Sequence, residues 1–169
     1  MTIVRCYEER DAGRVGRLIA DTYTEFNLAF APPEQQGLFL GPFRHSRSRE
    51  PDHQEAIARA IRSAIVFVAE DGGEIVGVLR GRPDRLASLF VRGDHHRQGV
   101  GRGLVERFES ECLQHGATVI RVASTLYAVP FYLAMGYKRS TGIRTGWSFE
   151  GRGLMVQPMR KALADESAS

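Results

Sequence analysis

The fold is decided by Leu86-Ala87-Ser88-Leu89-Phe90-Val91 and, after three further residues, His95-His96-Arg97-Gln98-Gly99-Val100-Gly101-Arg102-Gly103-Leu104. An apolar run typical of a strand leads into a basic, glycine-rich turn, and the turn opens directly into an amphipathic helix. The first N–H groups of a helix have no partner within it, and the aligned peptide dipoles add about half a positive charge there. Glycines let a ligand approach this backbone closely. The sequence therefore predicts a site for a phosphate or diphosphate.

Two other nucleotide-binding motifs do not fit this turn. A phosphate loop of the nucleoside triphosphatases needs G-x-x-x-x-G-K-[ST], and the chain contains no Gly-Lys-Ser or Gly-Lys-Thr. A dinucleotide fingerprint needs G-x-G-x-x-G and an acidic residue at the end of the next strand, whereas this next strand carries Arg121 and no acid. Glycines that serve only packing would not explain why basic residues crowd the same turn.

Length and composition are those of one globular domain. The 169 residues are 43% hydrophobic and 25% charged, which predicts a single domain at residues 1–163 and a polar tail at 164–169. The longest apolar runs are too short to cross a bilayer and the N-terminus has no secretory pattern, so we expect a cytoplasmic protein without membrane contact. Cys6 and Cys112 are expected to be small core residues, and no set of side chains has metal-ligand spacing.

The net charge of +3 suits an anionic ligand. The densest basic segment runs from Arg44 to Arg49, and one hypothesis makes it a contact for nucleic acid or for a cofactor phosphate. No aromatic residues interleave with it to stack on bases, so a solvated loop is favoured over nucleic-acid binding.

The order of the predicted elements, antiparallel strands followed by a strand–helix–strand unit, indicates an α+β fold with one parallel pair in a mixed sheet. Asp71-Gly72-Gly73 marks a hairpin, and Gly116 marks a helix end. Asp11 and Asp52 are expected to cap two helices. The predicted strands are residues 3–6, 65–70, 75–80, 86–91, 118–123 and 154–159, and the predicted helices include a short one at 129–135.

One long segment carries little periodicity. Residues 27–52 contain several prolines and glycines together with an aromatic cluster, and we expect an irregular loop that forms a wall of the substrate site. Trp147-Ser148-Phe149-Glu150 is expected to close that site from the other end.

Two motifs resemble those of the GNAT superfamily of N-acetyltransferases. His96-Arg97-Gln98-Gly99-Val100-Gly101 resembles the acyl-CoA-binding motif [QR]-x-x-G-x-[GA], with His96 where Gln or Arg is usual. Phe131-Tyr132-Leu133-Ala134-Met135-Gly136-Tyr137 resembles a second signature, F-Y-x-x-x-G-[FY]. The strand and helix context of both motifs also matches, so the resemblance covers most of the chain. It implies an α/β/α sandwich with a mixed, mostly antiparallel sheet flanked by helices.

The resemblance implies an acetyl-CoA-dependent N-acetyltransferase that transfers an acetyl group directly to a primary amine of a small molecule, peptide or protein. Acetyl-CoA would be a cosubstrate, no metal is implied, and a homodimer is common among such proteins. Tyr132 would be the general acid that protonates the coenzyme A thiolate. The implied cofactor-binding residues are Leu89, Phe90 and Val91 along the pantetheine arm, and Arg97, Gln98, Gly99, Val100, Gly101 and Arg102 around the pyrophosphate.

The sequence leaves the general base and the acceptor open. Free alkylamines are mostly protonated at neutral pH, so a base is needed. Its candidates are a water chain or one of the side chains of Glu25, Glu70, Asp94, His95 and His96. The alternative function is a non-catalytic acyl-CoA-binding or sensor domain of the same fold.

Overall fold

One mixed sheet organises the fold. A computed structural model describes residues 1–163, so the predicted polar tail at 164–169 lies outside the described residues. The strands of the sheet are β1 (Thr2–Cys6), β2 (Ile65–Asp71), β3 (Glu74–Arg82), β4 (Arg85–Val91), β5 (Val119–Thr125), β6 (Lys138–Arg139), β7 (Arg144–Ser148) and β8 (Gly151–Ala162). Their order is β1-β2-β3-β4-β5-β8-β6, and β7 also pairs with β8.

Five α-helices cover the sheet within the described residues. They are α1 (Ala12–Asn27), α2 (Pro33–Leu40), α3 (Pro51–Ile61), α4 (Val100–Gln114) and α5 (Val129–Ala134). Every strand pairing is antiparallel except that of β4 with β5. This architecture confirms the predicted mixed, mostly antiparallel sheet flanked by helices. None of the helices in residues 1–163 has the length and apolar character needed to cross a bilayer.

The two faces of the sheet bury separate cores. On one face, α4 inserts Leu104, Phe108 and other apolar residues against the central strands. A Cβ at Gly77 would lie 2.9 Å from Leu104, so glycine at this position of β3 lets α4 approach the sheet closely. On the other face, α1 and α3 contribute residues such as Val15 and Ile57. Area burial of this kind supplies most of the stability of a domain.

Three expectations from the sequence are wrong. Residues 27–52 are not an irregular loop, because they contain α2 and a 3-10 helix at Gly41–His45. Asp52 does not cap α3, since Pro51 takes the first helical position and Glu50 precedes it. Cys6 is exposed rather than part of the core, whereas Cys112 is buried as predicted.

Asp11 precedes α1 as predicted, but its carboxylate joins β1 to α1 and makes no capping bond to that helix. It accepts hydrogen bonds from Arg5 at 2.8 and 3.0 Å, from Arg14 at 3.0 Å and from the Glu8 N–H at 2.9 Å. Burial alone would raise the pKa of Asp11, but these hydrogen bonds, led by that of Arg5, lower it to about 2.

Candidate active site

The site contains an opening between strands β4 and β5. These parallel strands pair only at Arg85 with Arg121 and at Leu86 with Val122. Beyond Leu86, β4 continues to pair with β3 as far as Val91, so its other edge diverges from β5. An unpaired edge of this kind exposes main-chain donors and acceptors to an extended ligand.

A bulge in β4 determines which side chains face each core. Arg80 pairs with Ser88 and Gly81 pairs with Leu86, which leaves Ala87 as one extra residue in β4. After the bulge, Leu89 and Val91 pack towards the α4 core and Phe90 packs towards the α1 core. The side chains of β4 therefore pack into the cores on both faces of the sheet, and its main-chain groups are exposed at the edge that faces β5.

The predicted pantetheine-binding residues differ in where their main-chain groups point. The Arg92 N–H donates to the Val76 carbonyl on β3 at 2.8 Å. Main-chain groups alternate along an antiparallel strand, so Leu89 and Val91 direct theirs to the open edge and Phe90 directs its own to β3. The Val91 carbonyl accepts a hydrogen bond from His96 Nε2 at 2.7 Å. Its second lone pair remains available.

The basic turn leaves a run of main-chain donors without protein partners. Arg97 has φ +63° and Gly99 has φ +84°, and α4 begins at Val100. Within the described residues, no N–H group from 97 to 102 donates a hydrogen bond to the protein, and the first to do so is Gly103, to the Gly99 carbonyl at 2.9 Å. The positive end of α4 and these free donors together form a concave site suited to an anion.

The side chains of this turn have different surroundings. A Cβ at Gly99 would meet nothing within 4 Å, whereas one at Gly101 would lie 3.2 Å from the Phe131 ring. Glycine at 101 therefore lets α4 pack against α5. The Val100 side chain is buried in the core, so only its N–H belongs to the turn. Gln98 braces the turn through a 3.0 Å hydrogen bond to the Asp94 carbonyl, and Arg102 is exposed.

Tyr132 lies in α5, packed in the same core as Leu89 and Val91. Its ring is only 3% exposed and contacts Phe131 and Tyr137 edge-on. Burial raises the pKa of its phenol. Within the described residues, its hydroxyl has no hydrogen-bond partner, yet it is not among the fully enclosed polar atoms that lack one.

Most of the predicted general-base candidates are already engaged. Glu70 pairs with Arg5 at 3.2 Å. Hydrogen bonds from Arg92 and then His95 lower the pKa of Asp94 to about 2, so Asp94 is a weak base. His95 lies between Asp94 and Asp71, at 2.7 and 2.9 Å, and its pKa is raised, first by Asp94 and then by Asp71. Among the described residues, Glu25 makes no ion pair.

The far wall of the site joins α1, α2 and β7. The Tyr23 hydroxyl donates to Ser148 Oγ at 2.8 Å, and Ser148 Oγ donates to the Phe39 carbonyl at 2.8 Å. The Tyr23 ring also contacts Phe90, with centroids 5.4 Å apart. Part of the segment 147–150 thus meets α1, although no pattern in the sequence indicates this hydrogen bond across 125 positions.

An aromatic contact that sequence reasoning missed bridges the two sides of the opening. The Phe26 ring packs against His96, which follows β4, and against Tyr127, which follows β5, with centroid distances of 4.6 and 5.1 Å. The sequence places Phe26 directly before the segment expected to shape the acceptor side, but no pattern in it indicates these two contacts. In the part of the chain that the structure describes, no group of His, Cys, Asp and Glu side chains is arranged to bind a metal.

Several solved structures that are similar to this chain are named as acetyltransferases. A GCN5-related N-acetyltransferase from Rhodopseudomonas palustris is 22% identical, with a TM-score of 0.79 and 96% of each chain covered. The PaiA N-acetyltransferase from Thermoplasma acidophilum, solved with coenzyme A, is 12% identical, with a TM-score of 0.70 over 96% of this chain and 99% of that one. The ribosomal-protein-S18-alanine N-acetyltransferase from Escherichia coli is 18% identical, with a TM-score of 0.61 over 98% and 97%.

At these levels of identity, structural similarity establishes the fold alone. No curated protein sequence matches the chain. The family model described as "Acetyltransferase (GNAT) domain" matches residues 34–163, which is most of the chain and includes β4, the basic turn, α4 and α5. This match confirms the resemblance inferred from the two motifs, and the chain belongs to the GNAT family of acetyltransferases.

Proposed function

We propose that this protein, as a single domain over residues 1–163, transfers the acetyl group of acetyl-CoA directly to a primary amine. The observation that carries the proposal is the run of free N–H groups at residues 97–102 beside the open edge of β4. A diphosphate needs several convergent donors, and an extended amide-containing arm needs an unpaired strand edge. Both are present together, so the described residues fit coenzyme A.

In this proposal the turn and the strand bind different parts of one ligand. The N–H groups of 97–102 hold the pyrophosphate, with Arg97 and Arg102 adding positive charge beside it. Leu89 and Val91 pair with the pantetheine amides through their edge-facing main-chain groups, and Phe90 supports that edge from the α1 core. An N–H group on this edge also polarises the thioester carbonyl.

Tyr132 supplies the proton that the reaction needs at sulfur. Bound acetyl-CoA contributes a thioester, which is an activated acetyl group. The raised pKa of Tyr132 keeps its phenol protonated, and the apolar surroundings that raise this pKa also raise that of a thiolate formed nearby. Among residues 1–163, no acceptor for a hydrogen bond competes for the proton of this hydroxyl. We propose Glu25, directly or through water, as the base that receives the proton lost by the amine.

Calorimetry and thiol release test the proposal. Coenzyme A should bind with measurable heat, and acetyl-CoA with an accepted amine should release free thiol. Tyr132→Phe should lower kcat by about a hundredfold without changing the affinity for coenzyme A, because general acid catalysis is typically worth 10²–10⁴-fold. Tyr137→Phe is the matched control, since it removes a neighbouring phenol that is bonded to Glu109.

The outcomes separate the alternatives. An absence of heat with coenzyme A would contradict the whole proposal. Binding without thiol release for any amine would favour the sensor domain, and equal turnover by the wild type and Tyr132→Phe would contradict the acid role. A cytoplasmic location and a homodimer stay predictions, to be tested by fractionation and by sedimentation.

A further inference from the structure

A small apolar cleft opens beside the proposed active site, between the end of α1 and the end of β5. Its volume is about 240 Å³, and Asn27 and Thr125 contribute the polar groups of its lining. Among the described residues that line it, none is charged. Its large apolar side chains are Phe26, Phe30, Leu126, Tyr127, Leu154 and Met155.

One layer of side chains separates the cleft from the open edge of β4. Phe26 and Tyr127 both line it and contact each other, and Phe26 also contacts His96. His96 in turn donates to the Val91 carbonyl at 2.7 Å. A group held in the cleft therefore lies one layer of side chains from the edge where we place the thioester.

Charge around the cleft disfavours acceptors with several positive charges. Binding a polyamine or an aminoglycoside away from water requires carboxylates to pair with its ammonium groups. Glu25 is adjacent to Phe26 in sequence, but its Oε1 lies against Gly93, 3.6 Å from the position of a Cβ there. On β7, which pairs with the strand that holds Met155, the charged residue is Arg144.

One polar atom of a cleft residue lacks a partner. Asn27 Oδ1 is fully enclosed and accepts no hydrogen bond from the described residues. An enclosed acceptor without a donor is destabilising, and most such atoms in proteins are satisfied. A donor that reached this oxygen would remove the cost, and the other polar groups of the lining, the hydroxyls of Thr125 and Tyr127, carry no charge to pair with an ammonium group.

We propose that the acceptor is a primary amine carried on a compact apolar body, such as a single aromatic ring. The proposal rests on the proposed acetyl transfer. The cleft volume of about 240 Å³ is below the roughly 300–1,000 Å³ of sites for drug-sized ligands, so one ring fills it. Aromatic walls favour a ring through offset or edge contacts. A small arylalkylamine and the N-terminal phenylalanine of a peptide share this chemistry.

The step balances without a further reactant. A bond forms between the amine nitrogen and the acetyl carbon, and the bond between that carbon and sulfur breaks. An ammonium group first gives one proton to solvent, and the neutral amine nitrogen then loses a second proton to the base. The departing thiolate gains one proton from Tyr132, whose phenolate regains a proton from the base or from solvent. The products are an N-acetylated amine and coenzyme A with a free thiol.

An acceptor panel tests the proposal. Thiol release would be measured with 2-phenylethylamine, a phenylalanyl dipeptide, spermidine and kanamycin. The expected kcat/KM is at least about tenfold higher for the better of the two ring amines than for either polycation, since a pocket separates mismatched groups by such factors. Comparing 2-phenylethylamine with the dipeptide distinguishes the two sources. A higher kcat/KM for spermidine or kanamycin would overturn the acceptor class and leave acetyl transfer standing.

A matched pair of variants ties the preference to the cleft. Met155 and Leu113 are 43% and 42% exposed, but only Met155 lines the cleft. Met155→Glu should lower kcat/KM for 2-phenylethylamine about fivefold or more and raise it for spermidine, while Leu113→Glu should change neither. Asn27→Leu should raise the KM of the amine and leave the affinity for coenzyme A unchanged. Equal effects of the two glutamates would overturn the proposal.

A binding measurement separates this inference from the proposed function. If coenzyme A binds but no amine is acetylated, the proposed transfer fails, and titration of 2-phenylethylamine into the coenzyme A complex then reports on the cleft alone. Binding that Met155→Glu weakens and Leu113→Glu does not would support the cleft as a site for ring amines. No binding, or tighter binding of spermidine, would overturn it.

Discussion

The two ends of α4 use glycine in the same backbone conformation and reach opposite results. Gly99 before the helix has φ +84°, Gly116 after it has φ +83°, and a Cβ at either would meet nothing within 4 Å. At the C-terminal end, the N–H groups of residues 115–117 all donate to carbonyls of the last turn. At the N-terminal end, those of residues 97–102 donate to no described protein group. The free N–H donors of residues 97–102, and not the presence of glycine, therefore distinguish the candidate ligand site from the C-terminal end of the helix.

The difference has a geometric cause. The Gly116 N–H donates to the Leu113 carbonyl at 2.9 Å, and the Ala117 N–H donates to the Cys112 carbonyl at 3.0 Å, which is the Schellman pattern. In this pattern, carbonyl groups of the last helical turn accept hydrogen bonds from the N–H groups that follow the helix. At the other end, Gly99 stands where a Ser, Thr, Asp or Asn side chain would cap the helix, and glycine has no side chain to accept from the first turn.

Amide hydrogen exchange should show the largest contrast between the two ends. In the free protein, amides 97–102 should exchange rapidly and amides 115–117 slowly. With coenzyme A at about 100 times its Kd, exchange at 97–102 should slow by up to about a hundredfold, and 115–117 should not change. Mass spectrometry of peptides from both ends makes the measurement. Slowing at both ends alike would indicate general stabilisation instead of a ligand on the turn.

Replacing each of the two glycines with alanine should affect coenzyme A binding differently at the two ends of α4. A side chain in the left-handed region costs about 1–2 kcal/mol, so Gly99→Ala and Gly116→Ala should lower the free energy of unfolding by similar amounts. Only Gly99→Ala should weaken coenzyme A binding, by about tenfold or 1.4 kcal/mol, because its Cβ would point into open space where the diphosphate approaches the backbone. Urea unfolding and calorimetry measure the two quantities. Equal losses of affinity would show that the turn is not the site.

What could be predicted from the sequence follows from how local each signal is. The Gly72-Gly73 hairpin, the basic turn and the Gly116 stop depend on a few adjacent residues, and the structure has all three. The sequence does not reveal helix α2 because the helix is short and has Gly37 in its interior, although Pro33 occupies its first position, where proline is favourable. Its Phe39 ring is instead held by β8, where a Cβ on Gly151 would lie 2.4 Å from that ring.

The candidate site divides in the same way. The donors of 97–102 lie within one turn, so a motif could indicate them. The contact of Phe26 with His96 and the hydrogen bond of Tyr23 to Ser148 join distant segments, and no spacing rule connects them. The base candidates show a further limit, since His95 is engaged by Asp71 only once β2 and β4 are assembled, whereas the ion pair of Asp94 with Arg92 is local.

Removing the positive charge of Arg102, at the N-terminal end of α4, should weaken coenzyme A binding less than Gly99→Ala does. Arg102 lies in the first turn of α4 and is exposed, so Arg102→Gln should weaken coenzyme A binding by about two- to fivefold, as expected for a solvent-screened charge. The dependence of affinity on salt should also decrease. Arg107→Gln is the control in the same helix, because the Arg107 guanidinium lies 5.0 Å from the Phe67 ring centroid. An equal loss of affinity in both variants would count against a local role for Arg102.

The smallest expected effect is on the pH dependence of the free energy of unfolding, and it should again concern only the N-terminal end of α4. The segment leading into the basic turn is held by His95, whose pKa is raised above 6.5 by hydrogen bonds first to Asp94 and then to Asp71. A raised pKa in the folded state means that the stabilisation is complete below about pH 6.5 and is lost as the pH rises through the folded-state value. The free energy of unfolding of the wild type should therefore exceed that of His95→Gln below about pH 6.5, and the difference should shrink at higher pH. Urea unfolding of both proteins over this range measures it, with Asp71→Asn expected to reduce the same pH dependence. A difference that grows with pH would mean that His95 is bound as the neutral ring, so that no charge on His95 stabilises the segment leading into the basic turn.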